Sequence, residues 1–198
     1  MAKIRGQHRT EKKSQPGRLR IVAGKWRSRL LPVADVDGLR PTSERIRETL
    51  FNWLAPRVHG ARCLDLFAGT GALGLEALSR GAASVVFVER SGTACEHLRS
   101  SIALLDAQGA TLLRMDAAQY LARDDLPTFD IVFLDPPFAD NAVGELCRLL
   151  LQSGCLAPHA RIYIEQDRAA DAATLPEGWT LTHEKTAGNV RYSLVTAG

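Results

Sequence analysis

Four residues, Asp135-Pro136-Pro137-Phe138, follow the apolar run Ile131-Val132-Phe133-Leu134 and combine a hydrogen-bond acceptor, a rigid backbone and an aromatic face. The Asp135 carboxylate and the Pro136 carbonyl suit acceptance of both hydrogens of a planar amine. Pro136 and Pro137 fix φ and bring no N–H that would compete for those acceptors. Phe138 offers a face on which a nucleobase stacks after leaving its helix. An exocyclic base amine is a poor nucleophile, because its lone pair is delocalised into the ring. Holding both hydrogens favours the pyramidal geometry that an in-line attack on a methyl carbon needs. As a bare tetrapeptide the same residues make a rigid turn, so the chemistry depends on what stands upstream.

Upstream lies Gly69-Thr70-Gly71-Ala72-Leu73-Gly74, a G-x-G-x-x-G spacing, with Glu89 placed 20 residues after Gly69. That pattern first suggests a dinucleotide, with the acid on a ribose. Asp65 argues against it, since a carboxylate just before the loop repels a pyrophosphate docked on a helix N-terminus. The same carboxylate suits a ligand with an ammonium group and no phosphate, which describes S-adenosylmethionine, with S-adenosylhomocysteine as the product. Glu89 then accepts from the ribose hydroxyls and Asp116 from the adenine amine. Phe67, Arg90 and Ala117 flank these acids and, with Thr42, complete the expected cofactor set. Asp65, Glu89, Asp116 and Asp135 each fall at the carboxyl end of a strand-like run, where open parallel sheets bind ligands. Cys63, Cys95, Cys147 and Cys155 form no CxxC pair and have no histidine at ligand spacing, so no metal is expected.

The elements that carry these residues alternate. Strand-length apolar runs at 62–67, 84–88, 110–115, 130–134 and 161–165 are separated by helical segments at 71–80, 92–105, 117–122 and 141–152. Strands apolar on both faces and alternating with helices imply an α/β fold whose mostly parallel, Rossmann-like sheet is covered on both sides. Runs at 179–185 and 190–196, around Ala187-Gly188-Asn189, are expected to close it with an antiparallel hairpin. Before the sheet, Thr42 or Ser43 caps a helix with an apolar stripe of Ile46, Leu50, Trp53 and Leu54. Residues 18–22 and 27–33 read as the strands of a smaller hairpin. The expected organisation is a flexible basic arm (1–17), a basic hairpin extension (18–37) and a catalytic domain (38–198).

Residues 1–30 hold ten Lys or Arg against one acid, a charge of +9 that leaves −6 for the remainder of a chain totalling +3. A basic segment on an acidic body is a phosphate-backbone contact or a solvated leader. The apolar runs are too short to span a membrane. The basic start leads into no apolar signal region, so a cytoplasmic protein is expected.

Several stretches resemble the RsmD family of guanine-N(2) methyltransferases of small-subunit ribosomal RNA. They are Arg20-Ile-Val-Ala-Gly-Lys-Trp-Arg, Gly38-Leu-Arg-Pro-Thr-Ser-Glu-Arg-Ile-Arg, Cys63-Leu-Asp-Leu-Phe-Ala-Gly-Thr-Gly, Asp135-Pro-Pro-Phe and Glu184-Lys-Thr-Ala-Gly-Asn-Val. The resemblance implies a class I S-adenosylmethionine-dependent methyltransferase fold. It also implies transfer of one methyl to the 2-amino group of a single guanine in bacterial 16S rRNA, within the 30S subunit or a late assembly intermediate. A monomer and no membrane partner are expected. Arg18, Arg20, Lys25, Arg27 and Arg29 are then expected on rRNA phosphates, with Trp26 either stacking on a base or anchoring the hairpin. Arg40, Arg45 and Arg47, beside Thr42, are expected to touch cofactor or RNA, or to pair with Glu44 and Glu48. Lys185 holds RNA phosphate or lies on an exposed strand. An adenine or cytosine amine in another RNA or DNA is the alternative acceptor, because the tetrapeptide does not choose among such amines.

Overall fold

The computed structural model describes residues 17–33, 42–137 and 143–198. Most of the expected arm, the Gly38–Pro41 turn with Arg40, Phe138 and the first residues of the helix expected from 141 lie outside the described residues. In chain order the elements are β1 (Arg18–Arg20), β2 (Leu30–Pro32), α1 (Glu44–Leu54), β3 (Arg62–Asp65), α2 (Ala72–Ser79), β4 (Ser84–Glu89) and α3 (Gly92–Leu105). Then come β5 (Ala110–Arg114), α4 (Ala117–Leu121), β6 (Phe129–Leu134), α5 (Val143–Gln152), β7 (Leu156–Asp167), β8 (Thr180–Ala187) and β9 (Val190–Thr196).

The main sheet has seven strands in the order β5-β4-β3-β6-β7-β9-β8. The first five are parallel, whereas β9 runs antiparallel to both β7 and β8. The chain builds outward from β3 to β5 and then returns to place β6 on the other side of β3. That reversal makes the β3/β6 boundary the switch point at which such sheets open a crevice. Asp65 pairs in register with Phe133, so Asp65 and Asp135 emerge on neighbouring strands at the same end.

Strand periodicity divides the core. Cys63, Val85, Phe87, Ile131, Phe133 and Tyr163 face α1, α2, α3 and the N-terminal hairpin. Leu64, Val88, Val132, Leu134, Ile162 and Ile164 face α4 and α5. Burial on both faces is why these strands read as continuous apolar runs. Ser43 caps α1, its Oγ accepting the Ile46 amide at 3.3 Å. The buried stripe contains Phe51 where Trp53 was expected. Trp53 is instead half-buried and stacks on Tyr192 and His183, with centroids 5.6 and 4.9 Å away.

Two elements differ from expectation. β7 is longer than the expected 161–165 and carries a wide bulge: Leu156 pairs with Phe129, and the next pair is Arg161 with Ile131. The swelling contains Pro158, which has no ladder donor, and His159 at φ +59°. The N-terminal hairpin has strands of only three residues, because the amides of its loop bond elsewhere. Val22 and Ala23 donate to the two oxygens of Glu76 at 2.8 and 3.0 Å. Lys25 donates to the Ser79 carbonyl at 2.7 Å and Trp26 to the Ser79 hydroxyl at 3.0 Å. Gly24, at φ +82°, lies so close to α2 that an added Cβ would stand 1.9 Å from the Ser79 oxygen.

Candidate active site

Beyond the carboxyl ends of β3, β4, β5, β6 and β7 opens a cavity of about 1000 Å³. Its wall includes Thr42, Asp65, Phe67, Gly69, Glu89, Arg90, Asp116, Ala117, Asp135, Pro136 and Pro137, so the structure gathers residues separated by more than ninety positions around one space. Each reaches it for a local reason. Gly69 (φ +50°) and Gly71 (φ +76°) adopt left-handed conformations that turn β3 into α2, which other residues enter only with strain.

Asp65 is buried, and its Oδ2 accepts the Gly74 amide at 3.1 Å. Gly71 is the N-cap of α2, so the donor that Asp65 takes is one of the orphan amides of the helix's first turn. The place where a pyrophosphate would dock already holds a carboxylate of the protein itself. Glu89 clamps two loops, accepting the Gly69 amide at 2.8 Å and the Ser91 amide at 2.7 Å. Asp116 is the N-cap of α4, with Oδ1 accepting the amides of Ala118 and Gln119. Asp135 accepts from the Thr42 hydroxyl at 3.3 Å, which ties the helix-capping segment of α1 to the end of β6.

The cavity is an acid-rich, poorly solvated space. Burial pushes the Asp65 carboxyl up to about 7, the Glu89 charge adding to it while the amides of Gly74 and Phe67 pull the other way. Burial likewise raises Asp135 well above the ordinary carboxylate range, reinforced by the charges of Glu165 and Asp65 and opposed by Thr42. Glu165 is raised by burial and held by the Tyr163 hydroxyl, which donates to its Oε2 at 2.7 Å. Converging carboxylates at this dielectric favour cations and N–H or O–H donors over anions.

Glu165, Asp167 and Asn189 also line the cavity and were not singled out from sequence. Glu165 ends the expected fifth strand, so the strand-end rule that found the other acids reaches it too. Asn189 lies in the Glu184–Val190 stretch that carried the family resemblance but no role. Among the described residues no group of three or more His, Cys, Asp or Glu side chains is placed to hold a metal. None of their helices is long and apolar enough to cross a membrane.

The expected RNA contacts separate into groups. Arg47 is corrected: it is buried at 1% exposure, donating to Glu76 at 3.2 Å, the Arg20 carbonyl at 2.8 Å and the Thr42 carbonyl at 3.1 Å. With its donors spent on Glu76 and two backbone carbonyls, and its side chain out of solvent, it has no route to RNA. For Trp26 the stacking role on RNA is corrected in favour of the anchoring alternative, since at 8% exposure it joins the core beneath the hairpin. Arg18, Arg20, Lys25, Arg27, Arg29, Arg45 and Lys185 are exposed. Arg20 pairs with Glu44 at 3.6 Å, at the crevice end of α1. Lys25, by contrast, belongs to a loop bonded to Ser79 at the far end of α2. Lys185 stands 5.9 Å over the Trp53 ring.

A doubly covered, mostly parallel sheet with a glycine loop and an acid-lined cavity at its switch point defines the class I methyltransferase fold. Methyltransferase structures with low sequence identity share it: a Streptococcus mutans S-adenosylmethionine-dependent methyltransferase aligns with a TM-score of 0.72 at 18% identity, covering 99% of this chain and 58% of that one. A family model described as "Conserved hypothetical protein 95" matches residues 19–196. The Escherichia coli K12 Ribosomal RNA small subunit methyltransferase D is 47% identical over 181 residues, 91% of each protein. Its Haemophilus influenzae counterpart is 45% identical, covering 90% of this chain and 93% of that one. The solved structure of the Escherichia coli methyltransferase yhhF has a TM-score of 0.85 at 44% identity, covering 91% of this chain and 98% of that one. The chain belongs to the RsmD family.

Proposed function

We propose that the protein methylates the exocyclic 2-amino group of one guanine in 16S rRNA, using S-adenosylmethionine, on the small ribosomal subunit or a late assembly intermediate in the cytoplasm. The observation that carries this reading is the wall shared by Asp65 and Asp135. One carboxylate caps α2 where a phosphate would sit, and the other stands beside Pro136 at the end of the adjacent strand. Family membership and the names of the relatives support the choice of substrate.

The donor set fits S-adenosylmethionine. Asp65 suits the ammonium, Glu89 keeps free lone pairs for ribose hydroxyls, and Asp116 has Oδ2 left for the adenine amine. The bound cofactor supplies an electrophilic methyl on a sulfonium. The chain's own residues do the rest. The Asp135 carboxylate and the Pro136 carbonyl accept the hydrogens of the guanine amine and aim its lone pair. The Thr42 hydroxyl fixes the Asp135 rotamer. Phe138 stacks on the extruded base. After transfer the acidified amine gives its proton to Asp135 or to water, so no metal is required. The exposed cations Arg18, Arg20 and Arg45 engage neighbouring phosphates, Arg20 and Arg45 from the crevice end of α1.

The test is transfer of labelled methyl groups to unmodified small subunits and, in parallel, to free rRNA, followed by identification of the labelled nucleoside. N(2)-methylguanosine from subunits is expected. Asp135→Ala should lower kcat by roughly 10²–10³-fold with cofactor affinity nearly unchanged. Label in methyladenosine or methylcytidine, or wild-type turnover by the variant, refutes the assignment.

A further inference from the structure

At the opposite end of the sheet, beneath the amino ends of β3 and β6, a second cavity of about 290 Å³ is lined by Arg57, His59, Asp130, His159 and Arg161. The β7 bulge forms one wall, lifting Pro158 and His159 out of the ladder between the pairs Leu156–Phe129 and Arg161–Ile131. The segment that follows α1 forms the other. His59 there packs under Gly81, where an added Cβ would stand 2.7 Å from its Nδ1.

The charges in this cavity do not balance. Its one acid, Asp130, is committed to Arg62, accepting from the amide at 2.9 Å, from Nε at 3.0 Å and from Nη2 at 2.9 Å. Arg57 and Arg161 have no carboxylate partner among the described residues. Arg161 is half-buried, and its guanidinium is disfavoured first by burial and then by the Arg57 charge. Two like charges brought together beside two imidazoles, on a strained bulge, are a poor arrangement for the protein alone. They are a good one for a tetrahedral oxyanion, which guanidinium groups grip with paired N–H donors.

We propose that this cavity is a phosphate-binding site, with Arg57 and Arg161 as its ligating groups and His59 and His159 as supporting donors. Asp130 is the second residue of β6 and Asp135 follows its last, so the site stands roughly 17 Å from the methyl-transfer cavity at about 3.3 Å per strand residue. That distance separates it from the cofactor. It shares an end of the molecule with the hairpin loop, since Lys25 bonds to Ser79 and His59 packs under Gly81, the two ends of one turn. The phosphate belongs to an RNA backbone, a source that rests on the proposed function, or to a free phosphate compound.

Melting temperature is measured in pyrophosphate and in chloride of equal ionic strength, for wild type, Arg57→Gln and Arg161→Gln. Wild type should melt several degrees higher in pyrophosphate, and each variant should lose most of that gain. In chloride each variant should melt at or above the wild-type temperature, because a repulsion is relieved. No wild-type gain, an equal gain in the variants, or variants that melt lower in chloride would overturn the site. This arm needs no methyl acceptor, so it is independent of the substrate assignment. The source follows from subunit methylation at several salt concentrations. For an RNA phosphodiester, each variant should raise KM at unchanged kcat and flatten the log–log salt dependence by about one unit. An unchanged KM in variants that have lost the pyrophosphate gain assigns a free phosphate compound.

Discussion

Glu76→Gln tests whether the hairpin is part of the protein's core or an ornament on it. The Glu76 carboxylate is fully buried and accepts four hydrogen bonds, from the amides of Val22 and Ala23, from Arg47 at 3.2 Å and from Arg80 at 2.7 Å. Glutamine keeps one accepting oxygen and turns an NH₂ toward the remaining donors. It also leaves Arg47, whose guanidinium burial already disfavours, without the carboxylate it is bonded to, the exposed Glu44 being the acid that remains nearby. Breaking a buried ion pair from one side costs about 3–5 kcal/mol, a large share of a total stability of order 5–15 kcal/mol. At about 2–4 °C per kcal/mol for a chain of this size, calorimetry should record a fall of roughly 6–20 °C. Hydrogen exchange at the Val22 and Ala23 amides should accelerate with it. Adding Arg47→Met should recover a good part of the loss, because no buried charge is then left unpaired. A melting temperature within about 2 °C of wild type, with those amides still protected, would refute the reasoning.

Asp65 has a native pKa of about 7 against an ordinary 3.8, so the folded state binds more protons between those values. Its contribution is therefore fully present below about pH 4 and is lost as pH rises through 7. Asp65→Asn should accordingly melt above wild type by a margin that grows from pH 5 to pH 8, and a margin constant across that range would contradict it. Gly74→Ala places a Cβ 2.2 Å from Phe87 Cε1 and 2.9 Å from Val85 Cγ1, and should destabilise by about 1–3 kcal/mol in urea titrations. Pairing it with Phe87→Leu should restore part of that stability.

The sheet was legible because its signals are local. β9 and α3 have the bounds expected from their apolar runs and their flanking Gly and Ser residues, and the acids at successive strand ends outline the crevice in the sequence itself. What stayed hidden is tertiary. Nothing beside Glu76 in the chain says that it will bind a loop some 54 residues earlier. The swap of Trp53 for Phe51 in the buried stripe follows from Tyr192, which stacks on Trp53 from a strand at the other end of the chain. Arg47 and Trp26 were each given an RNA role beside a structural one, because exposure cannot be read from residue type. The N-cap role of Asp116 was readable from Asp followed by Ala-Ala-Gln-Tyr-Leu, but its place on a strand end drew attention to a ligand instead.

The glycine loop holds its shape by bonds within the protein: Glu89 to Gly69 and Ser91, Asp65 to Gly74, and the Gly71 amide to the Ala68 carbonyl at 2.6 Å. A receptor already in its binding conformation loses little disorder when a ligand arrives, and its apparent affinity is not diluted by incompetent conformers. Spent ligand and fresh ligand then meet this wall in the same form. Exchange between them is set by how quickly contacts and water are traded across the carboxylates, and turnover does not wait on this loop to fold.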